Sequence, residues 1–116
     1  MKFDELDAKM RVYECAHDYC VPPGLYLVAR IDGRSFTRLT KEVHPFEAPF
    51  DTRFRDYMVE TTRHLMGRGL RVCYGYTESD EISLLFHQDE TPFGRHLRKF
   101  HSVLAGAATA KFSPLL

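Results

Sequence analysis

The sequence predicts an α+β fold of the ferredoxin-like type, ordered strand, helix, strand, strand, helix and lacking the pattern's last strand, βαββα(β). Three observations carry this. Residues 25–31 are an almost unbroken apolar run of strand length, closed by Asp32-Gly33. Two segments, after Asp51 and after Pro92, repeat apolar residues at the three-and-four step of a helix face. Between them, residues 70–76 and 82–86 read as strands joined by a polar turn, giving an antiparallel sheet with its helices on one face.

Taken in order, Phe3, Leu6, Met10, Tyr13 and His17 share one face of an amphipathic helix over residues 3–18, which Val21-Pro22-Pro23-Gly24 ends. The run at 25–31 has the composition of a central strand covered on one or both faces. Glycine at position 33 permits a positive φ and turns the backbone towards a ligand. Residues 34–50 mix basic, aromatic and proline positions and read as a loop with a short helical piece. Asp51 sits at an N-cap position ahead of Phe54, Tyr57, Met58, Thr61, Leu65 and Met66, and Gly67 and Gly69 end that helix. Thr77-Glu78-Ser79-Asp80-Glu81 forms the hairpin turn. Phe93, Leu97, Phe100, Leu104 and Ala107 define the last helix, up to Pro114.

A chain of 116 residues is expected to form one domain, 1–116, with residues 1–20 as an N-terminal helix. At 44% hydrophobic and 28% charged, the composition excludes disordered and fibrous classes. No apolar run has membrane-spanning length and residues 1–20 are charged throughout, so a cytoplasmic protein is expected. Cys15, Cys20 and Cys73 have no paired CxxC spacing, as expected of reduced thiols. Net charge is zero, yet residues 72–90 carry five acids and no Lys or Arg, while 91–116 carry four basic residues and no acid. Such a distribution fits a cation site beside an anionic ligand, and equally a solvated hairpin.

The predicted crossover makes the first two strands parallel, and the hairpin returns the third antiparallel beside the first. Asp32, at the end of the first strand, is thereby expected to meet Asp80 and Glu81. Converging carboxylates stay ionised together only with a compensating cation. Magnesium suits an oxygen donor set shared with phosphates, and two such ions serve phosphoryl transfer. The Gly33 carbonyl, the N–H groups of Arg34, Ser35, Phe36 and Thr37, and the Ser79 hydroxyl complete a candidate phosphate cradle. Asp-Gly is also a common turn dipeptide and acids are common in hairpin turns, so each motif alone is weak and only their meeting is informative. Arg95, Arg98, Lys99 and Lys111 fit a polyphosphate- or RNA-facing patch or a plain solvent face.

Four motifs resemble the tRNA-His guanylyltransferases and their bacterial and archaeal guanylyltransferase-like relatives: Arg30-Ile31-Asp32-Gly33-Arg34-Ser35-Phe36, Phe46-Glu47-Ala48-Pro49-Phe50-Asp51, Tyr76-Thr77-Glu78-Ser79-Asp80-Glu81-Ile82-Ser83, and Phe93-Gly94-Arg95-His96 with Lys99-Phe100. The resemblance runs from about Phe3 to the end and implies a polymerase-like palm that adds nucleotides to tRNA 5′ ends in the 3′–5′ direction. The 3′ hydroxyl of GTP or another nucleotide attacks a 5′ end that is activated with ATP or already triphosphorylated, releasing AMP or pyrophosphate. By position, the resemblance implies that Asp32, Gly33 and Asp80 hold two Mg²⁺ ions. It further implies that Asp32 to Thr37 with Ser79 and Asp80 bind the nucleotide, that Glu81 supports the acidic site, and that the chain is a tetramer. Ala48 and His96 stand where many members carry a lysine and an arginine. Losing that phosphate-binding charge bears on ATP activation and favours relatives that repair 5′ ends by templated addition. The chain has about half the family's usual length and resembles its N-terminal half. Two other classes share the residue pattern: a truncated palm binding nucleotide or partner subunits without turnover, and a palm-type nucleotide cyclase.

Overall fold

A computed structural model describes residues 2–48, 50–67, 69–89 and 92–116, with only the backbone of Pro92 and Phe93 described. Its elements are α1 (Phe3–Glu14), β1 (Leu27–Asp32), α2 (Phe36–Arg38) running into a π-helical turn (Leu39–Val43), α3 (Thr52–Met66), β2 (Val72–Glu78), β3 (Glu81–Phe86) and α4 (Leu97–Phe112). The sheet order is β1-β3-β2, and β3 is antiparallel to both neighbours. β1 and β2 are therefore parallel, as the crossover rule requires.

Alternation along β3 explains the layering. Ile82, Leu84 and Phe86 point to one side, at 2%, 0% and 0% exposure, and meet α3 through Met58 and Leu65 and α4 through Phe100, Leu104, Ala108 and Phe112. Both helices cover this one face. Gly75 lets β2 approach α3, because a Cβ there would stand 2.5 Å from the Met66 sulfur. Tyr74 and Tyr76 on β2 and Val28 on β1 are exposed on the opposite face.

Several boundaries differ from the sequence reading. β1 begins at Leu27 rather than 25, because the Leu25 carbonyl accepts from the Arg95 guanidinium at 2.6 Å instead of joining the ladder. It ends one residue later, with Asp32 paired to Glu81. β1 is an edge strand, and the central place belongs to β3. The hairpin is tighter than expected: Glu78 pairs with Glu81, leaving only Ser79-Asp80 as the turn, with Ser79 at φ 54°. Glu81 thus opens a strand and does not sit in the turn.

The first helix stops at Glu14 and continues as a 3₁₀ turn, Cys15–His17. Its expected apolar face is present but uncovered: Phe3, Leu6, Met10 and Tyr13 are exposed, and α1 buries no residue. Contacts from Arg98 to Glu14 (2.7 Å) and Asp18 (3.2 Å) tie its end to α4. The radius of gyration, 17.4 Å, exceeds the roughly 13 Å of a compact chain of this length, as an uncovered arm requires. No described helix is long and apolar enough to cross a membrane.

The layering predicts unequal costs for neighbours on β3. Leu84→Ala should lose about 2–5 kcal/mol in urea unfolding, whereas Leu85→Ala, on the uncovered face, should lose about 1 kcal/mol or less.

Candidate active site

The end of β1 and the tip of the β2–β3 hairpin meet through backbone pairing. Asp32 faces Glu81 in the ladder, and the Gly33 N–H donates to the Asp80 carbonyl at 2.9 Å. The Thr77 hydroxyl donates to the Glu81 carbonyl at 2.9 Å and stiffens the hairpin tip. As a result one carboxylate oxygen from each of Asp32, Asp80 and Glu81 lies within 4.8 Å of the others. The three acids named from the sequence do converge.

The ladder adds three members that sequence reasoning missed, Glu78, Arg30 and Tyr76. Because Glu78 also pairs with Glu81, Asp32, Glu81 and Glu78 form one cross-strand row of carboxylates. The next row contains Arg30, Ser83 and Tyr76. Arg30 reaches diagonally and ion-pairs with Glu81, while the Tyr76 hydroxyl lies 3.3 Å from the Glu78 carboxylate. The hydrogen bond with Glu81 raises the Arg30 guanidinium above its ordinary value, and the charge of Glu78 raises the Tyr76 phenol. Two-residue alternation, Arg30 with Asp32 and Tyr76 with Glu78, was the available signal, but it required knowing that the strands run this far.

Gly33 is needed for a reason other than the one expected. Its φ is not positive, and the left-handed residue of the loop is Ser35, at φ 56°. A Cβ on Gly33 would stand 2.5–2.8 Å from the Phe36 ring, which folds back beneath it. Phe36 in turn packs on Phe54 (6.2 Å between centroids) and Phe112 (5.3 Å), anchoring the loop to α3 and α4. The Thr40 hydroxyl donates to the Phe36 carbonyl at 2.8 Å, and the Leu39 N–H to the Ser35 carbonyl at 3.1 Å. Outside the helices and strands, the N–H groups of Arg34, Ser35, Phe36 and Thr37 form no hydrogen bond to a backbone carbonyl among the described residues, as a nest-type anion cradle requires.

Two clefts of about 760 Å³ flank this loop, and Phe36 and Asp80 line both. One runs from Asp32, Gly33, Arg34 and Ser35 to Ala108 and Phe112. The other lies between Thr37, Ala48, Phe50, Asp51 and the hairpin tip at Glu78 and Ser79. Asp51 shapes the second cleft. Its buried carboxylate caps α3 through the Arg53 N–H (2.8 Å), binds the Arg53 side chain (2.9 Å) and accepts from the Glu47 N–H (2.8 Å). The Arg53 hydrogen bond, then that of Glu47, hold this carboxyl far below its ordinary value of 3.8.

The fourth motif lies elsewhere. Arg95 is 5% exposed and its guanidinium is spent on the carbonyls of Leu25, Val21 (3.1 Å) and Gln88 (3.4 Å), at the opposite end of β1 from the acids. It is therefore a structural arginine and not a phosphate-facing one. His96 Nδ1 is 2.7 Å from Asp18 and 3.3 Å from the Cys20 sulfur. Cys20 and His96 form an isolated β-bridge. The hydrogen bond from His96 lowers the Asp18 carboxyl. With Arg98 paired to Glu14 and Asp18, this end of α4 ties the N-terminal segment down.

Residues 7–116 match the family model described as tRNAHis guanylyltransferase. The tRNA(His) guanylyltransferase of Neurospora crassa is 34% identical over 90 residues, covering 78% of this chain and 30% of that protein. Among solved structures, a bacterial tRNA(His) guanylyltransferase-like protein in complex with GTP superposes with a TM-score of 0.85 at 31% identity, over 96% of this chain and 52% of that one. A bacterial protein of the same description in complex with ATP gives 0.85 at 32% identity, over 95% and 49%. The chain spans about a third of the length of the curated relatives it matches and about half of these solved chains.

Asp51 gives a pH prediction. Since its folded value is depressed, its contribution to stability is complete above the unfolded value of 3.8 and fades as pH falls towards the folded value. Asp51→Ala should lower Tm by roughly 5 °C at pH 7 and by much less near pH 2, measured by circular dichroism melts.

Proposed function

The chain belongs to the tRNAHis guanylyltransferase family, and on that premise we propose that it supplies the acidic nucleotidyl-transfer site of a magnesium-dependent enzyme adding GMP or another nucleotide to a tRNA 5′ end in the 3′–5′ direction. The observation that carries this reading is the meeting of Asp32, Asp80 and Glu81, with carboxylate oxygens within 4.8 Å of one another beside a glycine loop. Carboxylate oxygens at that spacing fit a hard cation, which would offset the like-charge repulsion that the Arg30–Glu81 pair leaves. The GTP and ATP complexes of the bacterial relatives support nucleotide binding by this fold.

In the proposed reaction, the 3′ hydroxyl of the incoming nucleotide loses its proton to solvent and its oxygen forms a bond to the tRNA 5′ phosphorus, the nucleotide's own 5′ phosphates staying in place through this step. The bond from that phosphorus to its leaving AMP or pyrophosphate breaks. Magnesium, when bound, would lower the pKa of the attacking hydroxyl and offset charge on the leaving group. Asp32 and Asp80 are its proposed ligands, with the Gly33 carbonyl, in keeping with the donor types present. Glu81 adds negative charge beside them, one of its carboxylate oxygens lying within 4.8 Å of those of Asp32 and Asp80. The N–H groups of residues 34–37 bind and orient the triphosphate, and Ser79 holds the nucleotide from the hairpin side. Arg34 is exposed and has no ion-pair partner among the described residues, so its charge is free for phosphate. Arg38 is less available, since it pairs with Glu42. The proposed partners are nucleoside triphosphates, tRNA and further copies of the chain in the cytoplasm.

A second reading, nucleotide binding without turnover, is favoured by one feature. The outer edge of β1 pairs with no strand among the described residues, although that strand carries Asp32. Two measurements separate the readings. The chain should bind GTP in Mg²⁺ and lose this in EDTA, and Asp32→Ala or Asp80→Ala should weaken binding at least tenfold. Labelled GMP should be joined to a 5′-truncated tRNA, and either substitution should cut the rate by about 10²–10³. Binding without incorporation favours the second reading, and undiminished incorporation by both variants overturns the site assignment.

A further inference from the structure

Arg30 carries a consequence beyond the acidic site itself, and it rests on the reading of that site as a cation site. The row Asp32–Glu81–Glu78 places like charges directly opposite one another across three strands, an arrangement that destabilises a sheet unless it is compensated. Side-chain alternation puts Val28, Arg30, Asp32, Glu81, Ser83, Leu85, Tyr74, Tyr76 and Glu78 on the uncovered face, and Arg30 is the one cationic position among them. Its guanidinium takes Oε2 of Glu81, and the charges of Asp32 and Glu78 also act on it.

We propose that Arg30 is the built-in counter-ion of this row, a positioning residue that holds Glu81 and competes with a divalent cation for its carboxylate. Arg30 thereby stabilises the cation-free site and sets how tightly a divalent ion binds. Both effects come from charge. Arginine at 30 does not need to touch substrate or ion for them to operate.

The test is Mn²⁺ binding to the whole chain, read as loss of the free-ion EPR signal at fixed ionic strength. R30Q should tighten Mn²⁺ roughly threefold to tenfold, the range expected for removing one partly screened charge near a divalent ion. R30K keeps the charge and should stay within about twofold of the unsubstituted chain. In an E81Q background, which removes the shared carboxylate, R30Q should bring less than half of that gain. In EDTA the melting temperature of R30Q should fall, and Mn²⁺ should restore it. Unchanged or weaker Mn²⁺ binding by folded R30Q overturns the proposal. So does equal tightening by R30K, which would trace the effect to side-chain shape. If the unsubstituted chain binds no Mn²⁺ up to about 10 mM, roughly ten thousand times the dissociation constant of a micromolar site, the cation reading falls and takes this proposal with it, a result distinct from binding that ignores Arg30.

Discussion

The acidic end of this molecule depends on the register of β1 on β3. Asp32 opposes Glu81, and the Gly33 N–H closes on the Asp80 carbonyl at 2.9 Å. A slip of one residue would turn Asp32 towards the helices and break that bond. Neutral backbone hydrogen bonds thus hold together carboxylates that repel one another. Favourable ladder bonds and the buried face of β3 offset the repulsion, with Ile82, Leu84 and Phe86 setting the same register from the other side of the sheet.

The loop that follows is held from below rather than by its own geometry. Phe36 fills the space a side chain at position 33 would need, and it is locked by Phe54 and Phe112 from α3 and α4. Asp51 fixes the far wall of the second cleft by capping α3 and binding the Glu47 N–H. Packing, capping and site geometry are therefore one problem. The helices that bury the core also fix where the loop N–H groups lie, so damage to the aromatic cluster would reach the site without touching an acid.

What the sequence made legible was what topology and short-range chemistry determine. Asp32 and Asp80 could be brought together because crossover handedness and hairpin return leave one arrangement. Asp51 could be placed because an N-cap is a local requirement, and it caps α3 as expected. Other features depend on surroundings that periodicity does not encode. Phe3, Leu6, Met10 and Tyr13 share a face, but spacing does not say what covers it. Arg95 looks the same in a sequence whether it faces phosphate or three backbone carbonyls. Glu78 was read as part of a turn because the strand pattern fades before the strand does, so the carboxylate row and its counter-ion Arg30 emerged only from the register.

The central claim is that Asp32 and Asp80 hold a divalent cation against a nucleotide's phosphates. The most direct measurement is a crystal structure of the chain grown with Mn²⁺ and GTP, with data collected for manganese anomalous scattering. The account predicts an anomalous peak at roughly 2.0–2.3 Å from carboxylate oxygens of both Asp32 and Asp80, with the triphosphate along the N–H groups of residues 34–37. A triphosphate bound at the opposite end of the sheet, beside Arg95 and His96, or a manganese peak away from both aspartates, would contradict it.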